Sequence, residues 1–275
     1  GVNEYSFYQP QYGALSAFST VASSTYHAFT VTARERFRDS LTFDINYTWA
    51  KSMDNASGLQ TSGTWGAAFI VNPLDPDLNR SVSDFDIQHI LNSSWLWEIP
   101  VGRGKSYMAD SPGVVDAILG GWSFNGIFRW NSGLPQTAPF ESSRWSTNWQ
   151  LSSNAMRIRD PKVNIHKGGE NPNFWDDAVY SYQSFRDVFA GQVGDRNVFR
   201  LQSYITFDFG LHKTFMMPYA EGHQLTFRWD VFNATNTQRL DDPVGSRDGW
   251  GTSPDAQIGV PAPSFGNIDA IQGRP

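Results

Sequence analysis

The segment "SLTFDINYTWAKSMDN", Ser40 to Asn55, decides the fold. Leu41, Phe43, Ile45, Tyr47 and Trp49 alternate with Thr42, Asp44, Asn46, Thr48 and Ala50. Alternation at period two sends successive side chains to opposite faces of a β-strand, one greasy and one polar. Which of these faces meets water separates a soluble sheet protein from a membrane one.

Outward from this segment the pattern recurs. "AFTVTARERF" sets Phe29, Val31, Ala33 and Phe37 against Thr30, Thr32, Arg34 and Arg36. "LNSSWLWEIP" sets Leu91, Trp95, Trp97 and Ile99 against Asn92, Ser94 and Glu98, and "GWSFNGIFRW" sets Trp122, Phe124, Phe128 and Trp130 against Ser123, Asn125, Arg129 and Asn131. "YITFDFGLHKTF" and "HQLTFRWDVFNA" do the same around Phe207, Phe209, Phe227 and Trp229. The polar faces carry charges near mid-strand: Asp44, Arg129, Asp208, Arg228 and Asp230. The apolar faces end in Tyr47, Trp49, Trp122 and Trp130, aromatic ends that describe an interfacial girdle. An antiparallel sandwich with one face in solvent satisfies the same alternation and stands as the rival reading.

Composition favours the membrane alternative. The 275 residues carry a net charge of −6 and only 17% charged residues, below the usual quarter or so. Aromatics reach 15%, yet the mean hydropathy is −0.42. A polar average with abundant rings suits strands that mix both characters. The acidic balance argues against a nucleic-acid partner. No cysteine is present, which excludes disulfides, thiol catalysis and thiolate metal sites. No apolar run is long enough for a transmembrane helix, a fact that does not bear on a barrel.

The connections alternate in length. Short turns at Arg38 to Ser40 and Tyr219 to Gly222 alternate with long links, roughly Asn55 to His89, Pro135 to Ser203 and Arg239 to the end. Links this long are uncommon inside compact domains, whereas short turns on one side and long loops on the other are expected of outer-membrane barrels. Between Val101 and Gly120, "PGVVDAILGG" predicts a short helix on the short-turn side.

Catalytic and metal motifs are weak. "DPDLNRSVSDFD" places Asp75, Asp77, Asn79, Ser81, Ser83 and Asp86 at calcium-loop offsets, but Arg80 stands where such a loop needs glycine. "VGRGKS" lacks phosphate-loop spacing and reads as a tight turn with Arg103 and Lys105 at a membrane face. The histidines show no metal-ligand spacing, and no G-x-S-x-G elbow exists. No enzyme, cofactor or metal is therefore expected. The long loops carry Trp65, Trp145, Trp149, Trp175 and Trp250 among polar side chains. Such rings suit capture of a sugar or peptide at a pocket mouth, or else they pack the loops onto each other.

The segments "YQPQYG", "STYHAFTVTARERF", "LTFDINYTWAKSMDN", "SDFDIQH", "WEIPVGRGK", "GGWSFNGIFRWNSGLP" and "LTFRWDVFNATN" together resemble the carboxy-terminal barrel region of TonB-dependent outer-membrane receptors. Within that family the resemblance is to the Oar-like branch, which often bears a carboxypeptidase-regulatory-like amino-terminal domain. It covers nearly the whole chain, in order. Residues 1–275 then read as one partial barrel domain, an all-β antiparallel transmembrane segment of a large plugged barrel with long extracellular loops, in the outer membrane of a Gram-negative-type bacterium.

The resemblance implies energy-coupled uptake of a scarce ligand. It implies as partners outer-membrane lipid, the remaining strands and plug from another chain or further sequence, and a TonB-type energy-coupling protein acting through that plug. No plug, TonB box or leader is recognised, and a final strand is expected after Pro275. Phe43, Ile45, Phe124, Phe128, Phe207, Phe209, Phe227 and Trp229 are expected to face lipid, with Asp44, Asn125, Asp208 and Arg228 toward the lumen. A barrel piece with a structural role and no transport is the further alternative.

Overall fold

Each alternating segment forms one long strand: β1 (Ser24–Phe37), β2 (Leu41–Asp54), β3 (His89–Glu98), β4 (Trp122–Asn131), β5 (Tyr204–Met216) and β6 (Gln224–Val231). They make one antiparallel meander whose spatial order follows chain order, with the two-residue strand Ser81–Val82 added beside β2. The computed structural model describes residues 20–37, 40–57, 70, 72, 74–137, 154–166, 172–186, 192–217, 223–238, 240, 243 and 265–268. A helix, α1 (Gly113–Leu119), occupies the β3–β4 connection, where the sequence predicts it.

The register converts strand alternation into two continuous faces. Val31, Tyr47, Leu91, Trp130 and Ile205 are successive cross-strand partners, so their side chains share one face. Arg34, Asp44, Ser94, Ile127 and Asp208 form a row on the other. A slip of one residue in any ladder would have mixed these sets. None occurs.

The first face is an aromatic surface. Ring centroids lie 5.7 Å apart for Trp95–Phe207 and for Phe124–Phe209, and 6.3 Å apart for Phe209–Trp229. Gly126 is the cross-strand partner of Trp95, and the indole lies where a Cβ on Gly126 would stand. Glycine is required there because the ring covers its backbone. Trp122 and Trp130 mark the two ends of β4, eight residues apart. That separation is about 27 Å along the strand, or about 21 Å along the barrel axis at a tilt of about 40°. The span is close to the apolar band of about 25 Å on membrane-spanning barrels.

The second face is a polar ladder. Thr30 and Thr48 hydroxyls meet at 3.0 Å, Thr32 donates to Asn46 at 2.8 Å, and Arg34 pairs with Asp44 at 2.5 Å. At the far side of the sheet Arg228 pairs with Asp230 at 2.5 Å.

Among the described residues no second sheet packs on the aromatic face, and helix α1 meets it at its rim. Trp49 and Trp97 lie on β2 and β3, each flanked by neighbouring strands, and remain 54% and 41% exposed. A sandwich would bury these rings against a second sheet, and the buried apolar cluster lies elsewhere, in the long connections. The exposed rings speak against the sandwich alternative. Phe227 and Thr226 are neighbours on opposite faces of β6. In a folding assay in lipid bilayers, Phe227→Arg should cost about 1 kcal/mol more than Thr226→Arg, since a lipid-face charge costs about 2–4 kcal/mol at mid-membrane and about 0–1 kcal/mol near the rim, where Phe227 stands opposite Lys213. Equal tolerance of the two would show that this face does not meet lipid.

Candidate functional site

Connections β1–β2, β3–β4 and β5–β6 share one end of the sheet, and the long connections share the other. At the long end the chain builds a small core of its own. Among the described residues three pairs of short antiparallel strands form there: Pro135–Gln136 with Phe199–Arg200, Met156–Arg157 with Phe185–Arg186, and Val163–His166 with Asn173–Trp175. A short helix, α2 (Ala178–Tyr182), is capped by the Asp177 carboxylate, which accepts from Tyr180 N at 2.9 Å. Phe174, Trp175, Phe199 and Phe265 pack beneath these elements, with Trp175 stacked on Phe265 at 5.7 Å.

Residues 196–200 clamp this loop core to the sheet. Arg196 pairs with buried Asp54 at the end of β2 and with Asp84, each at 3.1 Å, and donates to the Asn79 carbonyl at 3.1 Å. Asn197 donates to the Val82 carbonyl at 2.6 Å and to Asp84 at 2.7 Å. Arg200 pairs with buried Asp86 at 2.5 Å and donates to the Gly133 carbonyl at 3.1 Å. The other Asp86 oxygen accepts from Ser52 N at 2.5 Å. Both Asp86 oxygens thus hold the β2 end to the segment that leads into β5. A guanidinium suits this geometry because its several fixed N–H donors reach a carboxylate and backbone carbonyls together.

Between the clamp, the loop core and the ends of β4 and β5 lies a cavity of about 440 Å³. Asn131, Gln136, Thr137, Asn197, Gln202, Ser203, Tyr204, Thr237 and Gln238 supply amides and hydroxyls to its wall. Phe174, Ile165, Leu134, Leu201 and Leu240 supply the apolar part. Asn131 and Tyr204 are cross-strand partners on the polar face, so the cavity opens at the rim of that face. The one carboxylate among the wall residues, Asp84, is already held by Arg196 and Asn197. Neutral donors and acceptors beside an apolar patch bind hydroxyl- and amide-bearing ligands without demanding charge.

Of the aromatic residues expected at a pocket mouth, Trp65, Trp145, Trp149 and Trp250 lie outside the described residues. Trp175 is 5% exposed and packs in the loop core, so its ring joins loops together, while its neighbour Phe174 reaches the cavity wall. Asp44, Arg129, Asp208, Arg228 and Asp230 all sit on the polar face. Asp208 accepts from Asn233 N at 2.7 Å, and His212 lies 3.7 Å from Asp230. In the calcium-like segment, Asp86 is engaged by Arg200 and Ser52, and the Asn79 carbonyl by Arg196. No group of metal-ligating side chains assembles among the described residues. Sequence reasoning missed the clamp arginines and the amide wall. Their one local signal was the polar "LPQT" and "LQSY" flanking two strand ends.

The sequence model of a family described as "Outer membrane beta barrel domain" matches residues 1–275. No curated protein and no solved structure matches the chain.

Arg196→Ala would leave Asp54 buried without its cation, and should destabilise the long-loop end by about 3–5 kcal/mol. Removing the exposed partner in Lys105→Ala should cost less than about 1 kcal/mol. Hydrogen exchange of the amides at 81–86 and 196–200 is the measurement. Unchanged protection in Arg196→Ala would mean that the clamp does not hold the loops.

Proposed function

This chain belongs to the outer-membrane β-barrel domain family, and on that premise we propose that it forms wall and mouth of an energy-coupled receptor for a scarce carbohydrate or peptide. It is an antiparallel segment of an outer-membrane β-barrel, located in the outer membrane, and its long connections are proposed to face the outside of the cell. The finer assignment, to TonB-dependent receptors of the Oar-like branch, draws on the ordered sequence segments that resemble them.

The observation that carries the receptor reading is the mouth cavity. Its volume falls within the usual range of about 300–1,000 Å³ for small-ligand sites. Its wall offers neutral hydrogen-bonding groups beside Phe174, the chemistry that holds sugar hydroxyls or peptide amides. The proposed role is non-enzymatic, and the strand carboxylates Asp44 and Asp230 support that by being ion-paired.

In the proposed arrangement the aromatic face meets lipid and the polar face lines a lumen. Among the described residues β1 pairs only with β2 and β6 only with β5. An open edge in hydrocarbon costs several kcal/mol per backbone group, so both edges require strands beyond these six. Plugged transporters use about 22 strands. A plug inside that wall, moved by a TonB-type protein of the inner membrane, would release the ligand held at the mouth.

Calorimetry with soluble oligosaccharides and short peptides against the folded barrel tests the reading. Gln202→Ala and Asn131→Ala should each weaken the retained ligand about 2- to 10-fold, the loss of one net hydrogen bond of about 0.5–1.5 kcal/mol. A panel without binders, or a ligand indifferent to both substitutions, would remove the mouth-site proposal.

A further inference from the structure

Helix α1 has its polarity inverted relative to a helix on a water-soluble protein. Val114 and Ile118, one turn apart on one side, are 75% and 63% exposed. Leu119 is exposed beside them, as are Tyr107 and Met108 in the preceding turn. The acidic residue instead points inward: Asp116 Oδ1 accepts from Arg103 N at 2.6 Å. It also fills the space where side chains on Gly102 and Gly120 would stand, at 2.7 and 2.5 Å.

The end of α1 is fastened to the aromatic face at its rim. Trp122 and Lys213 are cross-strand partners on that face. Trp122 Nε1 donates to the Ile118 carbonyl at 2.9 Å, and Lys213 Nζ donates to the carbonyls of Ile118, at 3.3 Å, and Gly120. Lys213 is 3% exposed, with its ammonium 5.1 Å from the centroid of Trp122 and 4.9 Å from that of Phe215. A lysine on an apolar face is tolerated when its donors are satisfied, and free carbonyls at a helix end also favour a cation.

From this geometry we infer that α1 is an interfacial anchor. It lies in the leaflet boundary on the short-turn side, with Val114 and Ile118 in the acyl region and Lys213 holding it against the barrel. The occupant of the exposed stripe is lipid, because the stripe continues the aromatic face past its last tryptophan and its own polar residue is turned away. Short helices with one apolar side bind membranes in this way, immersed about 5–10 Å. The inference rests on the transmembrane fold and is independent of what the barrel admits.

The chain has no cysteine, so single spin labels report cleanly. Val114→Cys and Ile118→Cys, with Phe227→Cys as the apolar-face reference and Asp110→Cys as the water reference, would be labelled in the complete barrel in phosphatidylcholine vesicles. Power saturation then compares collision with oxygen against collision with a water-soluble nickel chelate. Positions 114 and 118 should match position 227, rich in oxygen and poor in nickel, and Lys213→Met should shift both toward nickel. Nickel access equal to position 110 would place the helix in water, and protection from both reagents would place it under protein. Either result overturns the anchor. Indifference to Lys213→Met would overturn the role of the lysine.

Discussion

Backbone pairing is the constraint on which the structure depends. Five ladders join six strands without a register break, so each interior strand spends its N–H and C=O groups on two neighbours. In hydrocarbon no water can substitute for those partners. With the ladders fixed, the pleat leaves each side chain one of two destinations. The aromatic surface and the polar ladder are consequences of that choice. Two departures from the pattern have local causes: Gly126 lies on the aromatic face where Trp95 covers it, and Lys213 lies there where carbonyls of the α1 end receive it.

The two ends of the sheet solve different problems. In the proposed arrangement the short-turn end meets an interface, and there the chain exposes Val114 and Ile118 while turning Asp116 inward. The long-loop end projects into water, and the connections there bury Phe174, Trp175, Phe199 and Phe265 as a soluble protein would. The charged contacts at residues 196–200 tie these long connections to the sheet end. Arg196 and Arg200 reach carboxylates more than a hundred residues away, and so fix the loops that shape the cavity.

The cavity inherits its position from the sheet and its chemistry from the loops. Asn131 and Tyr204 arrive at its floor because β4 and β5 end there in register. Gln136 and Leu201 come from the strand pair and turn beyond those ends, where Leu201 N donates to the Leu134 carbonyl at 2.8 Å. Gly133 permits this approach, since a Cβ would collide with the Leu201 carbonyl.

The sequence by itself determined the strands, their faces and the alternation of short and long connections. These follow from local periodicity, and a period of two is visible in any five consecutive residues such as Leu41 to Ile45. It also placed a helix in "PGVVDAILGG". The clamp and the cavity were decided by tertiary structure alone. Nothing near Asp86 announces Arg200, and nothing near Asn131 announces Tyr204, because the contacts join segments whose separation carries no periodic signal. Trp175 makes the same point: a ring among polar neighbours reads equally as a ligand contact or a packing contact, and only the position of Phe265 makes it the second.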